Sequence, residues 1–211
     1  ALRRLLFILV ATLLAAAASP AQAATITWDG GGTDSDWDTA GNWSGDQVPS
    51  LFDDVIFDGT SYKNATSNQP VELNSLTVTS GYLGTVDLNN RFDAYGDVLI
   101  EGGTVRFDND AHFHGDFVQA GGSVRLDNNN YFYGDFLQEA GVVSYVNTVE
   151  FHGNFTRTGG EMCNASYTCW TIYLKDSGSG GVHTFDAGPG VGIYQVRDYL
   201  RIYDGADWEF R

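Results

Sequence analysis

The chain has 211 residues, and its 27 acidic against 11 basic side chains give a formal net charge of −16 at pH 7. A surface this acidic repels the phosphates of nucleic acids and of anionic lipids, so we expect neither as a partner. Aromatic residues make up 14% of the chain and its acidic residues are scattered, which excludes a disordered acidic tail.

The chain begins with the pattern of a secretory leader. Two arginines precede an apolar run over 5–18, and Ala21 and Ala23 then form an A-x-A cleavage site. This run is too short to span a bilayer. We therefore expect a Sec-type signal peptide over 1–23 that is cleaved before Ala24. The mature chain would then be secreted or displayed at the cell surface, with no segment inserted in the membrane.

A tryptophan-rich segment over 24–58 follows the leader. It contains Trp28, Trp37 and Trp43 among many glycines and aspartates. The end of a repetitive β-structure exposes apolar side chains and unpaired strand edges. We therefore predict that this segment is an N-terminal cap whose indoles cover the first coil. An aromatic platform for sugar binding is the alternative, and the spacing of the tryptophans does not decide between the two.

An internal repeat of 19 residues organises the chain from residue 96 onward. The segments 96–114, 115–133 and 134–152 align without a gap, and a fourth copy begins at Gly153. Aligned positions form four apolar columns, which are Val98, Phe117, Phe136 and Phe155; Val105, Val124 and Val143; Phe107, Leu126 and Tyr145; and Phe113, Phe132 and Phe151.

Glycine and asparagine columns separate the apolar columns and mark the corners, since both residue types tolerate a positive φ. Between the corners the runs are short, alternating and rich in β-branched and aromatic residues, as in half-buried strands. Stacked coils would place equivalent side chains about 4.8 Å apart in parallel strands. We predict an all-β fold, a right-handed single-stranded parallel β-helix (β-solenoid) over 59–211 that continues beyond this chain. The hand follows the rule for parallel crossovers.

Two cysteines occur in the chain, Cys163 and Cys169. In the oxidising environment of an exported protein they are expected to form a local disulfide. Two free buried thiols are the alternative. A zinc site is excluded because no histidine lies near them in the sequence.

One set of aspartates is a candidate for carbohydrate or cation binding. Asp97, Asp116 and Asp135 share a column of the repeat, at a separation close to that of the two carboxyls in retaining glycosidases. Each follows a corner glycine, where a carboxylate can cap a turn by accepting a backbone N–H, and Asn154 takes this place in the fourth copy. We therefore favour turn capping, with a calcium ion between neighbouring aspartates as the alternative, and we predict no catalytic residue.

A second set, Asp34, Asp36 and Asp38, has the alternation with which a calcium loop begins. Thr39 and Gly45 occupy the sixth and twelfth positions, where the EF-hand requires glycine and glutamate. We expect a solvated loop with weak calcium affinity. Calcium is the one cation that either set suits, and we expect no other cofactor.

The histidines do not form a metal site in the sequence. His112 and His114 share a strand face without an evident third ligand, and His152 lies two coils away. Tyr95, His114, Tyr133 and His152 are instead predicted to form a stacked aromatic ladder. Nucleophile and phosphate-binding motifs of the G-x-S-x-G and P-loop types are absent from the chain.

The chain resembles secreted bacterial β-helix proteins, namely the passenger regions of autotransporter-type and filamentous-haemagglutinin-like adhesins. The resemblance rests on Trp28, Trp37, Asn42-Trp43, Pro49 and Asp54-Val55-Ile56-Phe57 and on the short coils punctuated by glycine and asparagine. It implies a right-handed parallel β-helix on the outside of the cell, at the surface of the outer membrane. This chain shows no translocator barrel, sorting motif or anchoring helix after the coils, so we expect it to be the N-terminal portion of a longer protein.

These patterns predict a non-catalytic module with a structural or adhesive role outside the cell. Its expected partners are glycans or the surface of a host or neighbouring cell. The alternative is a carbohydrate-active β-helix enzyme, a polysaccharide lyase or hydrolase, that would use the acidic column or the less regular coils over 157–195. A calcium-dependent binding module is a third hypothesis.

Overall fold

The computed structural model describes residues 23–162, 169–175, 182–186, 196–202 and 207–211. Over these ranges the chain is all β apart from two 3₁₀ turns, Ala40–Asn42 and Ser44–Asp46. No helix in them is long and apolar enough to cross a bilayer. Nearly all of the predicted leader lies outside the described residues. So does Cys163 of the predicted disulfide, whereas Cys169 is described as part of a strand.

The strands form three parallel sheets, and each of about six coils adds one strand to every sheet. Sheet 1 contains β1 (Thr25–Thr27), β2 (Asp54–Phe57), β5 (Ser75–Val78), β8 (Val98–Ile100), β11 (Phe117–Gln119), β14 (Phe136–Gln138), β17 (Phe155–Arg157), β20 (His183–Asp186) and β22 (Trp208–Phe210). Sheet 2 contains β3 (Ala65–Ser67), β6 (Thr85–Leu88), β9 (Thr104–Phe107), β12 (Ser123–Leu126), β15 (Val142–Tyr145) and β18 (Glu161–Met162). Sheet 3 contains β4 (Val71–Leu73), β7 (Phe92–Ala94), β10 (Ala111–Phe113), β13 (Asn130–Phe132), β16 (Thr148–Phe151), β19 (Cys169–Leu174) and β21 (Val196–Ile202).

The pairing register confirms the repeat of 19 residues and the β-solenoid that it predicts. Phe136 pairs in parallel with Phe117 on one side and with Phe155 on the other. Their ring centroids lie 5.4 and 5.2 Å apart, at interplanar angles of 3° and 2°. Side chains 19 positions apart therefore lie directly over one another, and the predicted apolar column is a single file of stacked rings in the interior.

Both glycine corners bring the backbones of neighbouring coils close together, and one of them also uses a positive φ. At the corner that opens sheet 2, Gly122 has a φ of 63°, which a side chain would strain. At the corner that opens sheet 1, a Cβ on Gly134 would lie 2.3 Å from the carbonyl oxygen of Gly115 in the coil below. This second corner therefore requires glycine because two backbones approach closely.

The asparagine corner is built differently from the prediction. Among the described residues other than glycine, only Asp46 has a positive φ, so the asparagine column does not serve a left-handed turn. Its side chains stack instead. The Nδ2 atom of Asn128 donates to Oδ1 of Asn109, and Nδ2 of Asn147 donates to Oδ1 of Asn128, both at 3.3 Å. The column is thus an amide ladder between coils.

The cap segment joins the solenoid, because β1 and β2 are the first two strands of sheet 1. Trp28, Trp37 and Trp43 are 0%, 3% and 0% exposed. Trp43 packs edge to face on both other indoles, with centroid distances of 4.9 and 4.6 Å, and against Phe57 at 5.7 Å. The indoles therefore cover the end of the interior as predicted, and burial excludes them as a platform for sugars.

One interior column of sheet 1 is polar. Gln119, Gln138 and Arg157 are almost completely buried and stack in successive coils. Gln138 donates from Nε2 to Oε1 of Gln119 (3.0 Å), and Arg157 donates from Nε to Oε1 of Gln138 (2.7 Å). The amides also donate to the carbonyls of Val142 and Glu161 at the corner of the next coil. Burial lowers the pKa of the Arg157 guanidinium.

Candidate binding surface on sheet 1

The acidic column lies along the corner where the chain enters sheet 1, and its three side chains are exposed. The carboxylate oxygen Oδ1 of Asp97 accepts a hydrogen bond from the backbone N–H of Asp116 (2.9 Å). The same contact joins Asp116 to the N–H of Asp135 (2.8 Å). Each aspartate therefore accepts a backbone N–H, as turn capping predicts, but the donor belongs to the next coil and not to the local turn.

Asn154 continues this ladder in the fourth coil. Its backbone N–H donates to Oδ1 of Asp135 (2.8 Å), and its Nδ2 lies 3.0 Å from both oxygens of that carboxylate. Its own Oδ1 accepts from the backbone N–H of Thr184 (2.9 Å). An amide oxygen therefore replaces a carboxylate at this position without breaking the ladder, so the ladder does not require negative charge.

An open depression of about 540 Å³ adjoins the acidic column. Its lining includes Asp97 and Asp116 and, from the outer face of sheet 1, Leu99 and Val118. Leu137 continues this aliphatic row, paired with Val118. We call Leu99, Val118 and Leu137, together with Asp97, Asp116 and Asp135, the sheet 1 surface. It is a half-buried aliphatic strip beside a row of negative charge, suited to a ligand with an apolar face and polar or cationic groups.

The aliphatic row was not singled out in the sequence. Its residues lie between two interior positions of each strand, so strand alternation directs them outward. Sheet 2 carries Arg106 and Arg125 at outward positions, and sheet 3 carries His112 and Tyr131. The sequence signal for this surface is therefore the column of three outward aliphatic residues, which distinguishes sheet 1 from the other two sheets.

The loop of the second aspartate set is closed by its own hydrogen bonds. Oδ1 of Asp34 accepts from the backbone N–H of Asp36 and from Nδ2 of Asn42, and Oδ2 accepts from the Thr39 hydroxyl, all at 3.1 Å. These bonds, led by that from the Asp36 N–H, hold the pKa of Asp34 below its usual value. Asp36 in turn accepts from the N–H of Asp38 (3.1 Å). The side chains of Asp34 and Asp36 thus stabilise the loop conformation, and Asp38 contributes its backbone N–H.

A protein cation binds oxygens of the residues that flank this loop. The ammonium of Lys63 donates to the carbonyl of Gly32 (2.6 Å), to Oδ1 of Asn42 (3.1 Å) and to the carbonyl of Gly30 (3.2 Å). A protein cation therefore already engages these three oxygens, none of which belongs to Asp34, Asp36 or Asp38. Lys63 was not identified from the sequence, because it lies at least 31 residues from the carbonyls that it contacts.

Three of the four histidines, His112, His114 and His152, lie on the outer side of sheet 3, whereas His183 is buried in β20 of sheet 1. Tyr95, His114, Tyr133 and His152 form the predicted ladder, with successive ring centroids 4.9, 4.9 and 5.0 Å apart. His112 stacks on Tyr131 beside them. Within the ranges that the structure describes, no three His, Cys, Asp or Glu side chains are arranged to hold a metal ion.

Comparison with known proteins adds no relative: no family model, curated protein or solved structure matches this chain.

Proposed function

We propose that this chain is a non-catalytic β-solenoid module, exported from the cell, that acts as a structural shaft with an adhesive sheet 1 surface. The observation that carries the proposal is the use of the acidic column. Asp97, Asp116 and Asp135 hold successive coils together, and Asn154 does the same without a carboxylate.

The surroundings of the acidic column also favour a structural role over catalysis. A glycosidase needs one carboxyl that holds a proton and a second that is ionised, and it obtains this difference by placing them in unlike environments. Asp97 and Asp116 have near-identical environments, since both follow a corner glycine and both accept the N–H of the next coil. Repetition therefore gives them no basis for dividing the roles of acid and base.

The extracellular location is supported by the leader pattern over 1–23 and by the resemblance to secreted bacterial adhesins. We assign the chain to the same kind of passenger or haemagglutinin-like region, at the cell surface or released from it. Its charge of −16 keeps such a module soluble and disfavours nucleic acids and anionic lipids as ligands. Glycans with an apolar ring face suit the aliphatic strip of the sheet 1 surface.

Binding and turnover measured on the same glycans test this proposal. We expect the chain from Ala24 onward to resist proteolysis, to bind glycans and to cleave none of them. Replacing Leu99, Val118 and Leu137 together by threonine, the residue at positions 77 and 156 of the same column, should weaken binding at least tenfold. A matched triple change on sheet 2, Thr85, Thr104 and Ser123 to alanine, at half-buried residues paired in successive coils, should leave binding within twofold. Equal loss in both variants would contradict the assignment of the surface.

A carbohydrate-active enzyme is the second candidate, and the depression beside Asp97 and Asp116 is the observation that favours it. Because asparagine preserves the ladder, Asp116→Asn removes the carboxylate without removing the architecture. Reproducible cleavage of a polysaccharide that is lost in Asp116→Asn and retained in Asp108→Asn would establish the enzyme and overturn the non-catalytic proposal. A melting temperature that rises with calcium in wild type but not in Asp116→Asn would instead establish the calcium-dependent module.

A further inference from the structure

The cap contains a buried carboxylate that contacts the first residue of the predicted mature chain. Asp53 is 3% exposed. Its Oδ2 accepts from the backbone N–H and the hydroxyl of Ser50, at 2.8 and 2.7 Å. Its Oδ1 accepts from the backbone nitrogen of Ala24 at 3.0 Å. Burial opposes ionisation of Asp53, but these bonds from Ser50 and Ala24 outweigh it and hold the pKa below its usual value.

Asp53 has no cationic partner within the part of the chain that the structure describes, so only neutral donors compensate its burial. A carboxylate removed from water is costly unless it is paired with a charge or fully hydrogen-bonded. A charged donor at the position of the Ala24 nitrogen would therefore satisfy this site better than the amide N–H does, because charge-assisted hydrogen bonds are shorter and stronger.

Ala24 lies where the chain enters the fold. Its carbonyl accepts from the backbone N–H of Asp54 (2.8 Å), and β1 begins at the next residue, whereas Ala23 is exposed. The bond between Ala23 and Ala24 is also the one that the A-x-A pattern marks for cleavage. Two independent features, the leader pattern and the contact of a buried carboxylate, thus meet at one nitrogen atom.

We propose that removal of the leader creates an α-ammonium group on Ala24 that forms an ion pair with Asp53 and thereby locks the cap. Hydrolysis adds water across the Ala23–Ala24 peptide bond, leaving a carboxylate on Ala23 and an amine on Ala24 that takes up a proton at neutral pH. The inference rests on the export proposed above. The carboxylates near this amine are Asp53 and Asp54, and Oδ1 of Asp54 already accepts from Asn74 and Ser75 at 2.7 and 2.5 Å.

The position of the terminus is specific. A chain that starts at Ala23 places its ammonium about 3.8 Å further along the backbone and leaves an amide N–H on Asp53. A chain that starts at Thr25 loses the donor altogether. Cleavage before Ala24 is therefore the one cut that brings the new charge onto Asp53.

Melting temperatures of chains with defined starts test the ion pair. Three are compared at pH 6.5: one starting at Ala24, the same chain acetylated on Ala24, and one starting at Ala23. A removable fusion partner that leaves no extra residue makes these starts independent of export. We expect the free Ala24 chain to melt about 4 °C above the other two, as a stabilisation of this kind does in a chain of this size. Equal melting temperatures of the free and acetylated chains would overturn the proposal.

Two controls identify Asp53 as the partner. In Asp53→Asn the difference between free and acetylated chains should vanish, whereas Asp58→Asn, at a half-buried aspartate directly after β2, should preserve it. If Asp53→Asn does not fold, the pH profile of the wild-type chain serves instead. An α-amine ordinarily titrates near pH 7.7–8.0. The ion pair raises this pKa in the folded state, so the added stability is complete below that range and is lost as pH rises through the folded pKa. A difference that persists unchanged at pH 10 would overturn the ion pair.

Export is tested separately, by mass spectrometry of the chain that a cell expressing the full sequence releases. A first residue at Ala24 is expected. A chain that is retained with its leader would overturn the proposed export while leaving the melting comparison intact. A mature start at another residue would overturn the locking role.

Discussion

The cap over 24–58 and the regular coils over 96–157 close their interiors in opposite ways. The cap relies on contacts that occur once: Trp43 packs on Trp28 and Trp37, and no second copy of this cluster exists in the sequence. In the coils each contact recurs every 19 residues, so Phe136 has the same stacking contact above and below. Specificity in the cap therefore depends on single residues, whereas specificity in the coils depends on periodicity.

The two regions also differ in how they bury polar groups. The cap buries the Asp53 carboxylate among donors from Ser50 and Ala24. The coils bury the polar column, in which each side chain accepts a hydrogen bond from the side chain of the next coil, as Gln138 does from Arg157. A polar group in the cap is thus satisfied locally, while in the coils it is satisfied by stacking.

Removing one indole should open the cap. We expect Trp43→Ala to lower the free energy of unfolding by about 4 kcal/mol, because it leaves a cavity among fully buried rings and removes the hydrogen bond from Nε1 to the Trp37 carbonyl. Urea denaturation followed by fluorescence measures the loss. Phe52→Ala, at a side chain 54% exposed in the same segment, should cost below about 0.5 kcal/mol. Comparable losses in the two variants would show that the indoles do not close the interior.

A break in the buried polar column of Gln119, Gln138 and Arg157 should lower the stability of the fold nearly as much. Gln138→Leu removes the side-chain acceptor of the Arg157 guanidinium and leaves a buried cation without this partner. We therefore expect the free energy of unfolding to fall by about 3 kcal/mol. Adding Arg157→Met to the same chain should recover most of this loss, because the double variant buries no charge. The double-mutant cycle is read from urea midpoints. A double variant that is less stable than Gln138→Leu alone would contradict the partnership.

The buried carboxylate of Asp53 in the cap should contribute less to stability than the polar column, and its contribution should depend on pH. Asp53→Asn is expected to cost roughly 1–2 kcal/mol at pH 7, because an amide replaces an oxygen that accepts two bonds from Ser50. The folded pKa of Asp53 lies below its ordinary 3.8, so its stabilisation is complete above pH 3.8 and disappears as pH falls through the folded value. Unfolding curves of wild type and variant should therefore converge below that pH. Parallel curves would refute the assignment.

Arg157 itself offers a gain in stability. Its Nη1 is buried without a hydrogen-bond partner, although the side chain is 1% exposed. Glutamine at this position would extend the stack of amides in the polar column and bury no charge. Arg157→Gln should therefore raise the free energy of unfolding by about 1 kcal/mol. Urea denaturation of the variant and of the wild-type chain under the same conditions measures this gain. A loss of 1 kcal/mol or more, on the scale of one net hydrogen bond, would mean that the guanidinium stabilises the coil.

Among these changes, one in the acidic column should be the mildest. Asp116→Asn keeps an oxygen for the N–H of Asp135, as Asn154 does in the fourth coil, and we expect a change below about 0.5 kcal/mol. Asp116→Leu, which removes the acceptor, serves as the comparison and should cost about 1 kcal/mol. Equal effects of the two variants would argue against a ladder maintained by the side-chain oxygen.

The sequence predicted the interior well where the columns are apolar, and poorly where they are polar. The file of Phe117, Phe136 and Phe155 is visible as a column of identical residues. Gln119, Gln138 and Arg157 lie two positions further along the same strands and therefore point the same way, yet their chemistry indicates a solvated surface. They are tolerated inside because stacking brings each amide to its neighbour and to a corner carbonyl. This compensation cannot be read from one coil.

The candidate surface was predicted in part. The acidic column was recognised and its capping role was anticipated, since Asn154 replaces an aspartate in the fourth copy. Turn capping predicts a donor in the local turn, whereas the N–H that Asp97 accepts lies 19 residues away in the next coil. The aliphatic row of Leu99, Val118 and Leu137 is not predicted by the apolar columns of the interior, because strand alternation directs these side chains outward.

The spacing of 19 by itself determined which side chains lie over one another, because in-register stacking alone keeps all four apolar columns together in the interior. The same spacing also predicted where the corners of the coils lie. Only the tertiary structure decided which oxygen meets which donor in the cap. Lys63 with the carbonyl of Gly30 and Ala24 with Asp53 are 33 and 29 residues apart, at separations that recur nowhere in the repeat. Such contacts depend on how the first coil closes, and periodicity carries no information about it.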